Sequence, residues 1–262
     1  MKASLLLIAA LAALARLAPA QSTPVTTPVQ AAADQIPTQK GPLTVQPITH
    51  GSVVLTWQGK SIYVDPYGGA AAYAGLAAPD MVLITDIHGD HLDPQTLAGL
   101  AMSKALLVVP QAVAAQLPAQ YHGQVRVLRN GQQFDTLGLR VAAVPMYNLP
   151  TTAGARHPKG RGNGYVLSLG GKNVYLSGDT EDTPEMRALQ HIDVAFVCMN
   201  LPYTMSVEQA AQGVLAFQPG IVYPYHYRGQ NGLSDVATFQ QLVNAANKKI
   251  EVRLRNWYPA AK

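Results

Sequence analysis

The stretch Ile84-Thr85-Asp86-Ile87-His88-Gly89-Asp90-His91-Leu92-Asp93 decides how the rest of this chain is read. It follows the apolar run Met81-Val82-Leu83-Ile84 and packs two histidines and two aspartates into the six residues from Asp86 to His91. Imidazole and carboxylate without thiolate suit zinc and its first-row neighbours, and this mixture is typical of catalytic metal. An extended backbone would send Asp86, His88 and Asp90 to one face and His91 elsewhere. One loop could then serve two neighbouring ions. A solvated acidic loop with incidental histidines is the plainer alternative, but the density of the motif and its place after a strand favour metal.

Working outward, short strands alternate with helical stretches and no second linker interrupts them. Val53 to Trp57 and Ser61 to Asp65 flank Gln58-Gly59-Lys60 as a hairpin, and Tyr165 to Leu169 and Asn173 to Ser177 flank Gly170-Gly171 as another. Met81 to Thr85, Ala105 to Val109, Leu139 to Val144, Ile192 to Val197 and Ile221 to Tyr225 read as further strands. Pro94 to Leu100, Pro110 to Gln116, Val207 to Phe217 and Val236 to Ala246 have helical spacing. A mixed sheet system with helices packed outside it follows.

Three more metal-capable residues end strands or open loops. Asp179 follows Leu176-Ser177-Gly178, His226 follows Tyr223-Pro224-Tyr225, and His157 lies in the loop Arg156-His157-Pro158-Lys159-Gly160-Arg161. Each alone is weak, because a strand-end aspartate is often a turn residue and a histidine between tyrosines is often a core group. Their shared placement at strand ends strengthens all three.

Composition narrows the class. Hydrophobic residues make up 48% and charged residues 13%, enough apolar content for one sizeable core. Residues 1–20 combine Lys2, an apolar stretch broken by Arg16 and the exit Ala18-Pro19-Ala20, which reads as a cleavable signal peptide and a secreted or periplasmic destination. The apolar run is too short for a stable membrane span. Removing Lys2 and Arg16 from 19 basic residues leaves 17 against 15 acidic ones, a balance of +2 that argues against nucleic-acid partners. Cys198 is the single cysteine and sits in an apolar run, so no internal disulfide is possible. Residues 21–41 are rich in Pro, Thr, Gln and Ala without periodicity and read as a flexible linker, leaving 42–262 as the domain.

The order of Asp65, the Asp86–His91 cluster, a later histidine, Gly178-Asp179 and His226 resembles the metallo-β-lactamase superfamily. Within it the chain is similar to the metal-dependent hydrolases that include ascorbate-lactone lactonases and N-acyl-phosphatidylethanolamine phospholipase D. The resemblance covers nearly all of residues 43 to 258. It implies a four-layer αβ/βα sandwich of two mixed β-sheets with outer helices, and metals at the edge where the sheets meet. It further implies that His88 binds the first of two divalent metals, with Asp90, His91 and His226 on the second. Asp179 would bridge them, and Asp65 would orient the metal loop from beneath. The first metal's remaining ligand is a histidine before the bridging aspartate, which the resemblance assigns to His157.

One position departs from the pattern: Asp86 stands where the family has histidine. As a ligand it would bring the carboxylates to three with Asp90 and Asp179, neutralising two divalent ions and one hydroxide. Zinc is expected, with manganese or iron made more competitive by the harder ligand. The expected activity is exported, metal-dependent hydrolysis of an ester, lactone, amide or phosphodiester by a metal-activated hydroxide, with Asp90 and Asp179 holding the nucleophile. The alternative is a metal-binding member of the fold with weak or no activity. For a small-molecule substrate, Lys159 and Arg161 are the candidate anion partners. Tyr203 is expected either to line an aromatic wall with Met199, Tyr225 and Tyr227 or to share with them in ordinary core or rim packing. His50 is a candidate to face substrate or to support a ligand from behind, a turn residue being the plainer reading.

Overall fold

A computed structural model describes residues 32–258. The signal peptide and the first part of the linker lie outside the described residues. Each half of the chain builds one seven-stranded sheet. In the first, β1 (Asp34–Ile36), β2 (Leu43–Thr49), β3 (Ser52–Trp57), β4 (Lys60–Val64), β5 (Met81–Leu83), β6 (Leu106–Val109) and β7 (Val125–Val127) lie side by side in chain order. The second begins with β8 (Gln133–Thr136), β9 (Leu139–Met146), β10 (Gly162–Leu169), β11 (Lys172–Leu176), β12 (Val194–Cys198) and β13 (Ile221–Tyr225). A small ribbon of β14 (Arg228–Gly229) and β15 (Gly232–Leu233) follows, and β16 (Glu251–Val252) completes the edge beside β13.

Both sheets follow one plan. The strands from β1 to β4 pair antiparallel, and those from β4 to β7 pair parallel. The second sheet repeats this, antiparallel from β8 to β11 and parallel from β11 through β12 and β13 to β16. Parallel strands need crossovers, and these carry the helices: α1 (Pro94–Gly99) and α2 (Gln111–Ala114) in the first half, α3 (Pro184–Arg187), α4 (Val207–Phe217) and α5 (Val236–Ala246) in the second.

The two-residue period of a strand explains why the apolar runs are continuous. Met81 and Leu83 of β5 join Val53, Leu55, Ile62 and Val64 in the core shared with Val141, Tyr165 and Leu167 of the second sheet. Val82 and Ile84 point the other way, onto Leu92, Leu97, Val113 and Leu117. On the second sheet, Ala210, Val214 and Phe217 of α4 and Phe239 and Val243 of α5 supply the covering stripe at three- and four-residue spacing. Ser206 and Gln209 form a reciprocal capping box that fixes where α4 starts. Among the described residues, no helix is long and apolar enough to cross a membrane.

One boundary needs correction. The linker expected to run to residue 41 is ordered from Asp34, which opens β1 and pairs with Val45. Ile36 is buried in the core, and the Trp57 indole donates to Thr38 Oγ1 at 3.0 Å. Asp34 is clasped by Arg255, Nη2 to Oδ1 at 2.6 Å, and by the Tyr223 hydroxyl at 2.7 Å. A single large apolar residue in a polar stretch leaves no periodic signal, and the order here comes from pairing with β2, from Trp57 and from partners more than 180 residues away.

Candidate metal centre

Strand ends converge to build the site. Asp65 follows β4, the loop from Ile84 to Asp93 follows β5, Asp179 lies just beyond β11 and His226 follows β13. His50 sits in the tight connection between β2 and β3. Seven non-glycine residues have positive φ among those described, and three of them, His50, Asp65 and His226, belong to this cluster. Left-handed backbone at such side chains persists only where the surroundings over-determine it, and it concentrates at functional sites. Gly178 also turns with φ +59°, and a Cβ there would run into Met146 Sδ. That position allows the chain to swing Asp179 inward.

The loop after β5 does not stay extended. The amides of His91 and Leu92 both donate to His88 O, at 2.9 and 2.8 Å, so the chain folds into a turn. The alternate-face expectation is therefore corrected. The turn sends Asp86 and His88 towards His157, and Asp90 and His91 towards His226. Two groups of donors result, and the buried Asp179 lies between them. Its Oδ2 is 3.2 Å from His157 Nε2 and 3.4 Å from His91 Nε2, and its Oδ1 is 3.3 Å from His226 Nε2. On one side, His88 Nδ1 is 2.8 Å and His157 Nε2 3.9 Å from Asp86 Oδ2. On the other, Asp90 Oδ2 is 3.4 Å from His226 Nε2, and Oδ1 is 3.9 Å from His91 Nε2. The structure thus brings together Asp86, His88, Asp90, His91, His157, Asp179 and His226.

Supporting contacts decide which atoms face inward. Asp65 is fully buried and accepts from Thr85 N at 2.7 Å, Thr85 Oγ1 at 2.6 Å and His91 Nδ1 at 2.8 Å. His91 Nε2 is left to face Asp179. Asn148 plays the same part for His157. Its amide nitrogen donates to Glu181 and to Tyr203 O, so its oxygen receives both the backbone N–H and Nδ1 of His157, at 2.8 and 3.0 Å. His50 Nε2 holds Asp90 Oδ2 at 3.0 Å, while its Nδ1 meets the Tyr258 hydroxyl at 2.7 Å.

The inward-facing atoms fit a divalent cation. His157 Nε2 and Asp179 Oδ1 are buried without a hydrogen-bond partner. His91 Nε2 and His226 Nε2 lie 3.2 Å apart, too close for both to carry protons aimed at each other. Burial opposes charge on these groups, yet neighbours outweigh it. Asp179 and Asp65 hold His91 well above the ordinary imidazole range, and His226 and His91 hold Asp179 well below the carboxylate range. Asp90 is also held low against burial, through His226 and His50. The cluster attracts positive charge, which a proton or a metal can supply.

Several substrate-facing expectations are corrected. Arg161 is turned onto Asp86, with Nε to Oδ1 at 3.1 Å and Nη2 to Oδ2 at 2.9 Å. Lys159 is paired with Glu185 at 2.5 Å and lies over the Tyr147 ring. His50 takes the supporting one of its expected roles, its Nε2 on Asp90 Oδ2. The aromatic wall does not form as expected. Tyr225 is buried and its hydroxyl accepts from Gly178 N at 3.0 Å, Tyr227 packs on Tyr258, and Met199 is in the core. Tyr203 is half-buried with the Arg156 guanidinium 4.4 Å over its ring. Sequence reasoning missed Thr85, Asn148 and Tyr258. Only Thr85 adjoined the motif closely enough to be suspected.

A sequence profile described as Beta-lactamase superfamily domain matches residues 44–226. A metal-dependent hydrolase of Pelotomaculum thermopropionicum is 32% identical over 202 residues, covering 71% of this chain and 86% of the relative. The crystal structure of a protein described as a metal-dependent hydrolase from Parabacteroides distasonis aligns with TM-score 0.75 at 38% identity, over 86% of this chain and 98% of that one. A metallo hydrolase from Ignicoccus hospitalis shares the fold, with TM-score 0.68 at 24% identity over 81% and 94% of the two chains.

Proposed function

This chain belongs to the metallo-β-lactamase superfamily, within which its relatives are metal-dependent hydrolases, and from that premise we propose that it is an exported dinuclear hydrolase of lactones or esters. The observation that carries the reading is the position of Asp179, whose two oxygens face His157, His91 and His226 at 3.2 to 3.4 Å. A carboxylate so placed suits a bridge between two ions. Asp86, His88 and His157 would hold one, and Asp90, His91 and His226 the other, with zinc favoured by the nitrogen donors. When bound, such ions supply Lewis acidity that activates water near neutral pH and polarises the scissile oxygen.

The protein's own groups set the geometry. Asp65 and Asn148 fix the rings of His91 and His157, so that neither nitrogen needs to reorient during turnover. Asp90 has 33% of its side chain exposed, against 4% or less for Asp86 and Asp179. It is therefore the carboxylate that would meet substrate and orient an attacking water. His50 keeps Oδ2 of that carboxylate in place. Lys159 and Arg161, the cations expected to receive an anion, both have carboxylate partners. Their pairing supports a neutral carbonyl substrate over a phosphodiester.

Export rests on residues 1–20, whose pattern matches a cleavable leader. The test is metal analysis on the full-length chain as purified from culture, followed by an activity panel of lactones, carboxylic esters and phosphodiesters with zinc, manganese or iron. Two ions per chain with turnover of lactones or esters is expected. Turnover of phosphodiesters alone would reverse the substrate assignment, and two ions without turnover would favour the metal-binding, non-catalytic member.

A further inference from the structure

Asp86 is fully buried, and imidazoles alone do not hold it. Arg161, just before β10, grips both of its oxygens as a fork, and Nη2 also lies 3.4 Å from His88 Nε2. Planar two-point contact of this kind fixes orientation as well as charge, which a lysine ammonium cannot do. Within the grip the two oxygens are not equivalent. Oδ2 is the one 2.8 Å from His88 Nδ1 and 3.9 Å from His157 Nε2. Oδ1 is held by Nε of Arg161. The guanidinium holds both oxygens and so fixes the plane in which the carboxylate turns Oδ2 towards the two histidines.

The charges balance in the same way. Asp86, Asp90 and Asp179 contribute three negative charges, and Arg161 removes one. The remainder equals what Asp90 and Asp179 would give if position 86 held a neutral imidazole. Resting on the dinuclear reading, we infer that Arg161 is a positioning residue that makes Asp86 a charge-neutral ligand unit, equivalent in net charge to a histidine but with oxygen as the donor. Asp86 and Arg161 are then interdependent, and neither can be changed alone without unbalancing one of the two ion positions.

The test is a double-mutant cycle on the full-length chain: parent, Asp86→His, Arg161→Gln and the double variant, with Arg161→Lys as a fifth form. Each is loaded with zinc and separately with manganese. Ions per chain are counted after dialysis, affinity is read by competition with a chromophoric chelator, and melting is followed with and without metal. Asp86→His alone strands the guanidinium beside the imidazoles, so it should lose one ion per chain, with affinity there reduced by about tenfold or more. Arg161→Gln alone should melt lower without metal and gain more from added metal than the parent does, because the buried carboxylate has lost its neutraliser. The double variant should regain the second ion, with affinity within about threefold of the parent. Arg161→Lys should keep the ion with intermediate affinity, since it retains the charge but not the fork. Two tightly bound ions in Asp86→His, or no recovery in the double variant, would overturn the inference. A parent that takes up fewer than two ions would instead sink the dinuclear reading, and this inference with it.

Discussion

Replacing Asp65 by Asn keeps the shape of the side chain and changes what its buried end can accept. Asp65 receives three hydrogen bonds, from Thr85 N on Oδ1 and from Thr85 Oγ1 and His91 Nδ1 on Oδ2. An asparagine can keep its oxygen towards the Thr85 amide, but its –NH2 then faces two groups that were donating. The Thr85 hydroxyl can rotate and accept. His91 can comply only by giving up the Nδ1 proton, which moves it to Nε2, the atom 3.4 Å from Asp179. The ring would then offer a proton where a cation requires a lone pair. Outer partners of metal-binding histidines contribute roughly tenfold to a hundredfold in affinity, or about 1.4 to 2.7 kcal/mol. The metal-free protein should also lose a charge-assisted bond worth about 1.5 to 3 kcal/mol. Chelator competition on Asp65→Asn would read the first effect, and melting without metal the second. Metal affinity within about twofold of the parent would refute the argument, because it would mean that Asp65 does not set the tautomer of His91.

On the proposed dinuclear reading, Asp179→Ala should leave far-UV circular dichroism nearly unchanged while metal affinity falls by about a hundredfold or more; retention of both ions would show that Asp179 does not hold them. Asn148→Ala leaves the N–H and Nδ1 of His157 without their acceptor, so metal affinity should drop about tenfold, and parental binding would show that the ring is fixed by packing alone. Asp34→Ala should cost about 2 kcal/mol at neutral pH, near a 4 to 8 °C fall in melting temperature. Burial raises the pKa of Asp34, but Arg255 and Tyr223 outweigh that and hold it below the usual 3.8. A depressed folded value means the contribution is complete above the unfolded pKa and fades as pH falls through the folded one. Parent and variant should therefore converge in stability only as pH falls below 3.8 and through the depressed folded value, and a constant gap across pH would contradict the assignment.

What could be read from the sequence was whatever lay close together in it. The loop of candidate ligands is contiguous, the strands with long apolar runs appear where expected, and α4 and α5 match their helical periods at both ends. The short strands escaped notice for physical reasons. Ile36 is the only apolar residue of β1, and β7 and β8, three and four residues long, are too short for their alternation to stand out. Within the site, residue types identified the candidate donors, but partners could not be read. Arg161 stands 75 residues from Asp86, and only the approach of β10 to the β5 loop, where Asn163 N donates to Thr85 O at 2.9 Å, makes them neighbours. A basic residue near a candidate ligand histidine looks like an anion receptor until its carboxylate is seen.

The repeated plan of the two sheets has a consequence for how the molecule fails. Asp86, His88, Asp90 and His91 belong to the first half of the chain, and His157, Asp179 and His226 to the second. Each half by itself holds an incomplete set, so the centre is a seam and not the property of either sheet. Any excursion that slides or parts the halves dismantles it before a single strand has to melt. Occupancy of the seam would then report the docking of two otherwise intact halves, and would vanish in a partly opened state whose secondary structure still looked native.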